Sequence, residues 1–148
     1  MKRKILIVED NVGLSQIQKD WLSQAGYEAV TAMNEPIARS LIRKTQFDLI
    51  LSDVRLPEGD GISLLEWLRK EKKDIPFIIT TEYVSVPDVV RTIKLGARDY
   101  LPKPVHRDYL LELAEDIFHP VATVRKQERQ LFHRTSPMIL KVEKFARL

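Results

Sequence analysis

The chain is organised around the segment Leu49-Ile50-Leu51-Ser52-Asp53-Val54-Arg55-Leu56-Pro57. Its apolar residues, with Phe47 just before them, form a short run that stops abruptly at Asp53. Such a run is typical of a buried strand in a parallel sheet that is covered on both faces. Asp53 then follows the carboxyl end of this strand, where open α/β sheets bind their ligands. A lone aspartate in this position more often starts a turn, so a chemical role for Asp53 depends on the rest of the chain.

The segments on both sides repeat the same unit, a strand followed by a helix. The other predicted strands are short apolar or alternating runs at residues 4–8, 27–32, 76–81 and 98–101. Capping and turn residues separate them from the helical segments: Asn11, Gly26, Pro36, Gly59, Gly61 and Gly96. Because the loops are short, parallel crossovers are nearly forced. The sequence therefore predicts an α/β fold with a doubly wound, five-stranded parallel sheet, helices on both faces and all strand C-termini at one edge.

Apolar spacing also predicts which face of a helix packs on the sheet. In the second helix, Ile37, Leu41 and Ile42 form the predicted inner face. In the first helix, Trp21 is predicted to lie in the core.

The composition excludes several classes of protein. The 148 residues are 44% hydrophobic, which is enough for a substantial core and too apolar for a wholly disordered chain. There is no cysteine, which excludes disulfides, thiolate catalysis and cysteine-ligated zinc. No apolar run approaches the roughly 18 residues of a membrane span, and the run after the basic residues 1–4 is too short for a signal peptide. A soluble, cytoplasmic protein is expected.

Side chains that carry chemistry stand at the ends of four predicted strands: Glu9 and Asp10 at the first, Asp53 at the third, Thr81 at the fourth and Lys103 at the fifth. Three carboxylates in one crevice repel each other unless a cation lies among them. Oxygen ligands on an open edge suit magnesium, which keeps several waters and binds through a few carboxylates. The sequence therefore predicts a Mg²⁺ site at this edge of the sheet.

A carboxylate can accept a phosphoryl group covalently, and Asp53 is the predicted acceptor. The metal would neutralise charge on the incoming phosphoryl oxygens, and Lys103 would hold another of them as a point charge. The hydroxyl of Thr81 would donate to a third oxygen.

This set of residues resembles the receiver domain of two-component response regulators, and the motifs that carry the resemblance are Glu9-Asp10, Asp53, Thr81 and Lys103-Pro104. Lesser signatures agree, namely Leu56-Pro57 with Gly59 and Gly61, and Leu95-Gly96-Ala97 with Asp99-Tyr100-Leu101. The resemblance covers about residues 3–118 and predicts a receiver domain at residues 1–119. It implies the flavodoxin-like strand order 2-1-3-4-5.

The family's roles then transfer to matching positions. Asp53 is expected to be loaded from a phosphohistidine on a partner sensor histidine kinase. Asp10 is expected to bind Mg²⁺ directly and Glu9 mostly through water, while the backbone carbonyl of Arg55 completes the protein ligands. Beyond phosphoryl transfer to Asp53 and its slow hydrolysis, no enzyme activity is expected.

The resemblance also implies a switch. Thr81 would swing toward the phosphoryl group, and Tyr100 would rotate inward behind it. Lys103 would bridge to the acceptor, and the Lys103–Pro104 peptide would be cis, the isomer that proline makes accessible. The fourth helix, fifth strand and fifth helix would form the output surface and the expected site of homodimerisation, to which the linker helix would add.

One position departs from the family pattern. Glu82 follows Thr81, where the family usually has a small residue. Glu82 is predicted to crowd the phosphoryl entrance and to pair across it with Arg55. The resulting hypothesis is that this pair slows both the loading and the hydrolysis of the phosphoryl group.

Residues 120–148 form a distinct, basic tail. From Val121 onward there are seven basic and two acidic residues, a net charge of +5, whereas residues 1–120 carry 17 basic and 19 acidic residues, a net charge of −2. Such a tail can contact nucleic acid or a phosphate, although the solvated face of a helix is the commoner explanation. Apolar residues at helical spacing predict an amphipathic linker helix that pairs with a second copy or a following domain.

The last residues indicate the kind of domain to which the linker leads. Residues 134–148, in which Ser136 and Pro137 start a further helix, are similar to the opening of the AAA+ ATPase domain in NtrC-like, sigma-54-dependent activators. No Walker loop is present, so this chain is not expected to bind or hydrolyse ATP. DNA binding is expected only through a domain absent from this chain.

The leading interpretation is a Mg²⁺-dependent, phosphorylatable switch from a transcriptional response regulator. A stand-alone or phosphorelay receiver that acts by protein–protein interaction is the alternative within the class. A phosphatase or phosphotransferase with an aspartate nucleophile would need a second carboxylate two residues on, and position 55 is arginine. A small-ligand binder would need a glycine-rich phosphate loop after the first strand, and the sequence Glu9-Asp10-Asn11-Val12-Gly13 is too acidic for that.

Overall fold

The computed structural model describes residues 2–119, so the predicted linker and the predicted start of an AAA+ domain at residues 120–148 lie outside the described residues. Strands and helices alternate along the chain in the order β1 (Lys4–Val8), α1 (Val12–Gln24), β2 (Glu28–Ala32), α2 (Glu35–Lys44), β3 (Leu49–Asp53), β4 (Arg55–Leu56), β5 (Gly59–Asp60), α3 (Gly61–Lys70), β6 (Phe77–Thr81), α4 (Val86–Lys94), β7 (Asp99–Pro102) and α5 (Arg107–Phe118).

The main sheet is parallel, and its strand order is β2-β1-β3-β6-β7. The short strands β4 and β5 form a separate antiparallel hairpin between β3 and α3. With that hairpin set aside, the order of the five long strands is the predicted 2-1-3-4-5. All five strands run in the same direction, so their carboxyl ends meet at one edge of the sheet.

The sheet separates two apolar cores, because alternate residues of each strand point to opposite faces. Helices α2, α3 and α4 cover one face, where Leu6, Val8 and Ile50 lie in the core. Helices α1 and α5 cover the other face, where Ile5 and Ile7 are buried. No helix among residues 2–119 combines the length and apolar character needed to cross a membrane.

Asn11 caps its helix as predicted, whereas the predicted inner faces of α1 and α2 are confirmed only in part. Asn11 caps α1 by accepting a hydrogen bond from the backbone amide of Leu14 at 3.0 Å, as predicted. In α2, however, Ile37 is 43% exposed, and the buried residues are Glu35, Ala38 and Ile42. In α1 the buried residues are Ser15, Gln18 and Leu22, and Trp21 packs against the core from a half-buried position. Ile42 is thus buried as predicted, Leu41 and Trp21 pack against the cores from partly buried positions, and the prediction for Ile37 is wrong.

Candidate functional site

The predicted carboxylates meet at the carboxyl edge of the sheet. Glu9 and Asp10 follow β1, and Asp53 is the last residue of β3. One oxygen atom from each of these three side chains lies within 4.8 Å of the other two. Glu9 and Asp53 are buried, whereas Asp10 is exposed. We call Glu9, Asp10 and Asp53 the acidic cluster.

Lys103 reaches the acidic cluster from the loop after β7. Its Nζ atom donates to Oε1 of Glu9 at 2.7 Å and to Oδ2 of Asp53 at 2.8 Å. The backbone amide of Lys103 donates to the carbonyl of Thr81 at 2.7 Å, which fixes the start of this loop against β6. The Lys103–Pro104 peptide is cis, as predicted.

The polypeptide immediately after Asp53 folds back onto it. The backbone amide of Arg55 donates to Oδ1 of Asp53 at 3.3 Å, and the amide of Gly61 donates to the carbonyl of Val54 at 2.8 Å. A Cβ atom at Gly61 would lie 2.9 Å from Oγ of Ser52 and would collide with the Asp53 backbone. Glycine at position 61 thus allows the start of α3 to lie directly against the end of β3.

The electrostatics of the cluster follow from its burial. Burial raises the pKa of Glu9, and the hydrogen bond from Lys103 opposes this effect without cancelling it. Burial alone would lower the pKa of Lys103, but its hydrogen bonds to Asp53 and Glu9 outweigh burial, so the pKa is raised. Lys103 therefore keeps its proton and its positive charge at neutral pH.

The acidic cluster fits a magnesium ion by donor type and by charge. All three side chains offer carboxylate oxygens, the ligands that Mg²⁺ prefers in proteins. When the three carboxylates are ionised, the single ammonium of Lys103 leaves two negative charges uncompensated, and a divalent cation supplies the same charge with opposite sign.

The predicted switch residue Thr81 is the last residue of β6 and Tyr100 lies in β7, and within residues 2–119 neither side chain makes a hydrogen bond to Asp53. The Thr81 hydroxyl donates to the carbonyl of Tyr83 at 2.9 Å and accepts from its amide at 3.1 Å, so it faces the following loop. Tyr100 points inward and is only 2% exposed. Its hydroxyl makes no well-formed hydrogen bond within residues 2–119. Burial raises the pKa of Tyr100. The Ser85 backbone and the Thr81 side chain nevertheless lie close enough to act on the pKa of this hydroxyl, which they lower without cancelling the effect of burial.

The predicted pair between Arg55 and Glu82 is wrong. Among the described residues, Arg55 makes no ion pair with Glu82, and its guanidinium instead stacks over the ring of Tyr83, 4.8 Å from the ring centre. Glu82 is exposed and lines a groove of about 460 Å³ together with Trp21 and Pro104. The sequence analysis did not identify Tyr83 as the partner of Arg55. The spacing offered a signal, because Tyr83 lies two residues after Thr81 and Arg55 lies two residues after Asp53.

The comparisons with known proteins identify a family and a fold. Residues 5–115 match the family described as the response regulator receiver domain. This chain belongs to that family. A solved receiver domain protein (CheY-like) from Methanospirillum hungatei JF-1 superposes with a TM-score of 0.76 at 32% identity, over 80% of this chain and 95% of that chain.

The receiver is also similar to curated transcriptional regulators. The transcriptional regulatory protein GlrR of Escherichia coli (strain K12) is 31% identical over 145 residues, which are 97% of this chain and 33% of that protein. The transcriptional regulatory protein ZraR of Klebsiella oxytoca is 39% identical over 116 residues, which are 78% of this chain and 26% of that protein. The chain thus spans about a third of the length of GlrR. The family resemblance found in the sequence is confirmed.

Proposed function

We propose that this receiver takes a phosphoryl group onto Asp53 from a phosphohistidine of a partner sensor histidine kinase, in a reaction that requires Mg²⁺. The proposal rests on the position of Lys103, whose ammonium is hydrogen-bonded at once to Asp53 and to Glu9 of the acidic cluster. An ammonium in that place neutralises the acceptor carboxylate and stands ready for a phosphoryl oxygen.

The reaction places one bond change on this chain. A carboxylate oxygen of Asp53 forms the bond to phosphorus while the phosphorus–nitrogen bond of the phosphohistidine breaks, and the electron pair of that bond returns to the imidazole. Glu9, Asp10, Asp53 and the backbone carbonyl of Arg55 would hold Mg²⁺, which supplies charge neutralisation at the phosphoryl oxygens. Water later hydrolyses the acyl phosphate and restores Asp53.

In the proposed switch, phosphorylation of Asp53 changes the contacts of Lys103, Thr81 and Tyr100. Lys103 exchanges its bond to the Asp53 carboxylate for one to a phosphoryl oxygen. Thr81 gives up its two bonds to the Tyr83 backbone and turns its hydroxyl toward the new phosphate. The loop from β6 to α4 moves with Thr81, and the inward position of Tyr100 is stabilised. The chain has no catalytic activity toward other substrates in this mechanism.

The output is transcriptional regulation, in the cytoplasm, through a domain outside this chain that binds DNA. This step is supported by the similarity to GlrR and ZraR, which are named transcriptional regulatory proteins, and by the similarity of residues 134–148 to the start of a sigma-54-dependent AAA+ domain. Homodimerisation uses the surface of α4, β7 and α5. Three apolar side chains of α4 are available for it, because Val86, Val90 and Ile93 are 56%, 45% and 56% exposed.

The deciding experiment is intact mass after incubation with acetyl phosphate and Mg²⁺, for the wild-type chain and for Asp53→Asn side by side. We expect one added phosphoryl group on the wild type, none on the variant, and none on the wild type when EDTA replaces Mg²⁺. Label on Asp53→Asn, or label that resists EDTA, contradicts the proposed chemistry, and an unlabelled wild type contradicts the proposed function.

A further inference from the structure

The carboxylate of Glu35 lies buried outside the acidic cluster. Glu35 is the first residue of α2, and yet it is only 4% exposed. A buried carboxylate is costly unless it is paired and hydrogen-bonded, so the contacts of Glu35 define its role in the fold.

Both oxygens of Glu35 are occupied. Oε1 accepts a hydrogen bond from the backbone amide of Asp60 at 3.0 Å. Oε2 accepts from the Ser63 hydroxyl at 3.3 Å and forms an ion pair with the guanidinium of Arg39 one turn along α2. Arg39 in turn stacks on the ring of Trp67 in α3, 5.1 Å from its centre. Glu35 is thus the point where α2 is tied to β5 and α3.

The β4–β5 hairpin, which Glu35 contacts, is too small to be stable on its own. The β4–β5 hairpin has only two residues in each strand, and even longer isolated hairpins are marginal in water. Its turn ends at Gly59, with φ of +134°, and a Cβ atom there would collide with the Glu35 carboxylate. The close approach of this glycine shows how tightly the hairpin lies on Glu35.

The same hairpin carries the backbone next to the phosphoryl acceptor. Arg55 in β4 pairs directly with Asp60 in β5. The amide of Arg55 donates to Oδ1 of Asp53 at 3.3 Å, and its carbonyl is the proposed backbone ligand of Mg²⁺. A chain of direct contacts therefore runs from Glu35 through Asp60 and Arg55 to Asp53.

We propose that Glu35 is a positioning residue for phosphoryl transfer: it anchors the β4–β5 hairpin through the Asp60 amide and so places the backbone of Arg55 for Asp53 and Mg²⁺. The part that concerns Mg²⁺ rests on the proposed function. Outer partners that orient metal ligands typically change metal affinity by about 10- to 100-fold when they are removed. Glu35 is one contact further out, so its effect belongs at the lower end of that range.

Two substitutions separate anchoring from charge. Glu35→Ala removes the acceptor of the Asp60 amide, whereas Glu35→Gln keeps an oxygen that accepts from it and replaces the oxygen that faces Arg39 with an uncharged NH2 donor. Glu28→Ala is the control, because it also removes a glutamate that forms an ion pair, with Lys4 at 3.6 Å. Glu28 is the first residue of β2, so it lies at the amino ends of the strands, away from the acidic cluster. The measurements on each chain are calorimetric titration with MgCl₂, residue-resolved amide hydrogen exchange and thermal unfolding.

The expected result is specific to the hairpin. Glu35→Ala raises the Kd for Mg²⁺ about tenfold and accelerates exchange of the Asp60 amide. Glu35→Gln and the Glu28→Ala control leave the Kd within roughly twofold of wild type, because neither removes the acceptor of that amide. A merely structural role of Glu35 would lower the melting temperature and leave the Kd for Mg²⁺ unchanged.

An unchanged Kd in folded Glu35→Ala overturns the inference, as does an equal loss of affinity in Glu28→Ala. Should Glu35→Ala not fold, Glu35→Asp keeps the charge but is one methylene too short to reach the Asp60 amide, and it carries the same expectation. A wild type that binds Mg²⁺ but takes no phosphoryl group refutes the proposed function alone, and the Kd and exchange data still decide the role of Glu35. A wild type that binds no Mg²⁺ refutes both.

Discussion

Nζ of Lys103 lies 2.8 Å from Oδ2 of Asp53, and the lysine side chain is 10% exposed. The same atom is 2.7 Å from Glu9, so one ammonium is shared by two buried carboxylates. Lys103 therefore has a structural role in the resting receiver in addition to its proposed role toward the phosphoryl group.

We expect Lys103→Met to be destabilised by roughly 3 kcal/mol in EDTA, because removing one partner leaves buried charge uncompensated. Mg²⁺ should stabilise the variant more than the wild type, since the cluster then lacks its internal cation. Urea unfolding with EDTA or with MgCl₂ measures both effects. Lys94→Met, at an exposed site on α4, is the control, and equal stabilisation of Lys103→Met and wild type by Mg²⁺ would contradict the prediction.

Tyr100→Phe is expected to raise the free energy of unfolding by about 1 kcal/mol at neutral pH, because it removes a buried hydroxyl without a well-formed hydrogen bond. Tyr109→Phe should have the opposite sign, since the Tyr109 hydroxyl donates to Asp99 at 3.1 Å. Chemical denaturation of both variants gives the comparison. A loss of stability in Tyr100→Phe would show that the hydroxyl is satisfied in solution.

The dependence of the free energy of unfolding on alkaline pH is a second test of Tyr100. Burial raises the pKa of Tyr100 above its ordinary value of 10.0. The folded state therefore keeps the phenol proton at pH values where the unfolded chain has lost it, and stability falls as pH rises from about 10 through the raised pKa. Phenylalanine cannot ionise, so the advantage of Tyr100→Phe should widen above about pH 10. A constant difference between about pH 8 and about pH 11, measured by denaturant unfolding at about unit steps, is the contrary outcome.

The stacked pair of Arg55 and Tyr83 should control access to Asp53. We expect Tyr83→Ala to accelerate hydrolysis of the acyl phosphate severalfold, because the Arg55 guanidinium loses the ring on which it rests. Loss of phosphoryl group after rapid removal of acetyl phosphate can be followed by intact mass. Val84→Ala, the next exposed residue of the loop, serves as the control, and an unchanged rate in Tyr83→Ala excludes the pair as a barrier to water.

Glu82 needs a separate test. The predicted ion pair with Arg55 is not formed, so Glu82 can act on the phosphoryl entrance only by crowding or repulsion. Glu82→Ala should then accelerate loading by the negatively charged acetyl phosphate, with a smaller effect at high salt because exposed charges are screened. Equal loading rates of variant and wild type at low salt would exclude any influence of Glu82.

The sheet and the acidic cluster were predictable because both depend on local signals. Apolar runs mark the buried strands, and parallel strands bring their last residues to one edge, so Glu9, Asp53 and Lys103 converge wherever the exact strand ends lie. The five-stranded order came from the family resemblance and was confirmed. The helix faces were harder to predict, because α2 carries both Ile37 and Glu35 near its start and apolar spacing favours the former.

The residues that were missed depend on contacts between distant segments. Glu35 is buried because an amide 25 positions away and an arginine one turn along satisfy its oxygens. Tyr83 meets Arg55 because β4 and the segment after β6 lie next to each other in the folded chain. The sequence predicts only a turn where the β4–β5 hairpin lies, since two-residue strands carry no periodicity.

The two cores on either side of the sheet assign neighbouring residues of one strand to different halves of the domain. Tyr100 packs into the core beneath α2, α3 and α4, whereas its neighbour Leu101 packs into the core beneath α1 and α5. The proposed rearrangement at Tyr100 would therefore act first on the core beneath α2, α3 and α4, whereas Leu101 belongs to the other core. Substitutions in the core of α1 and α5 that leave the exposed surface of α5 unchanged are therefore expected to change the stability of the domain more than the proposed switch.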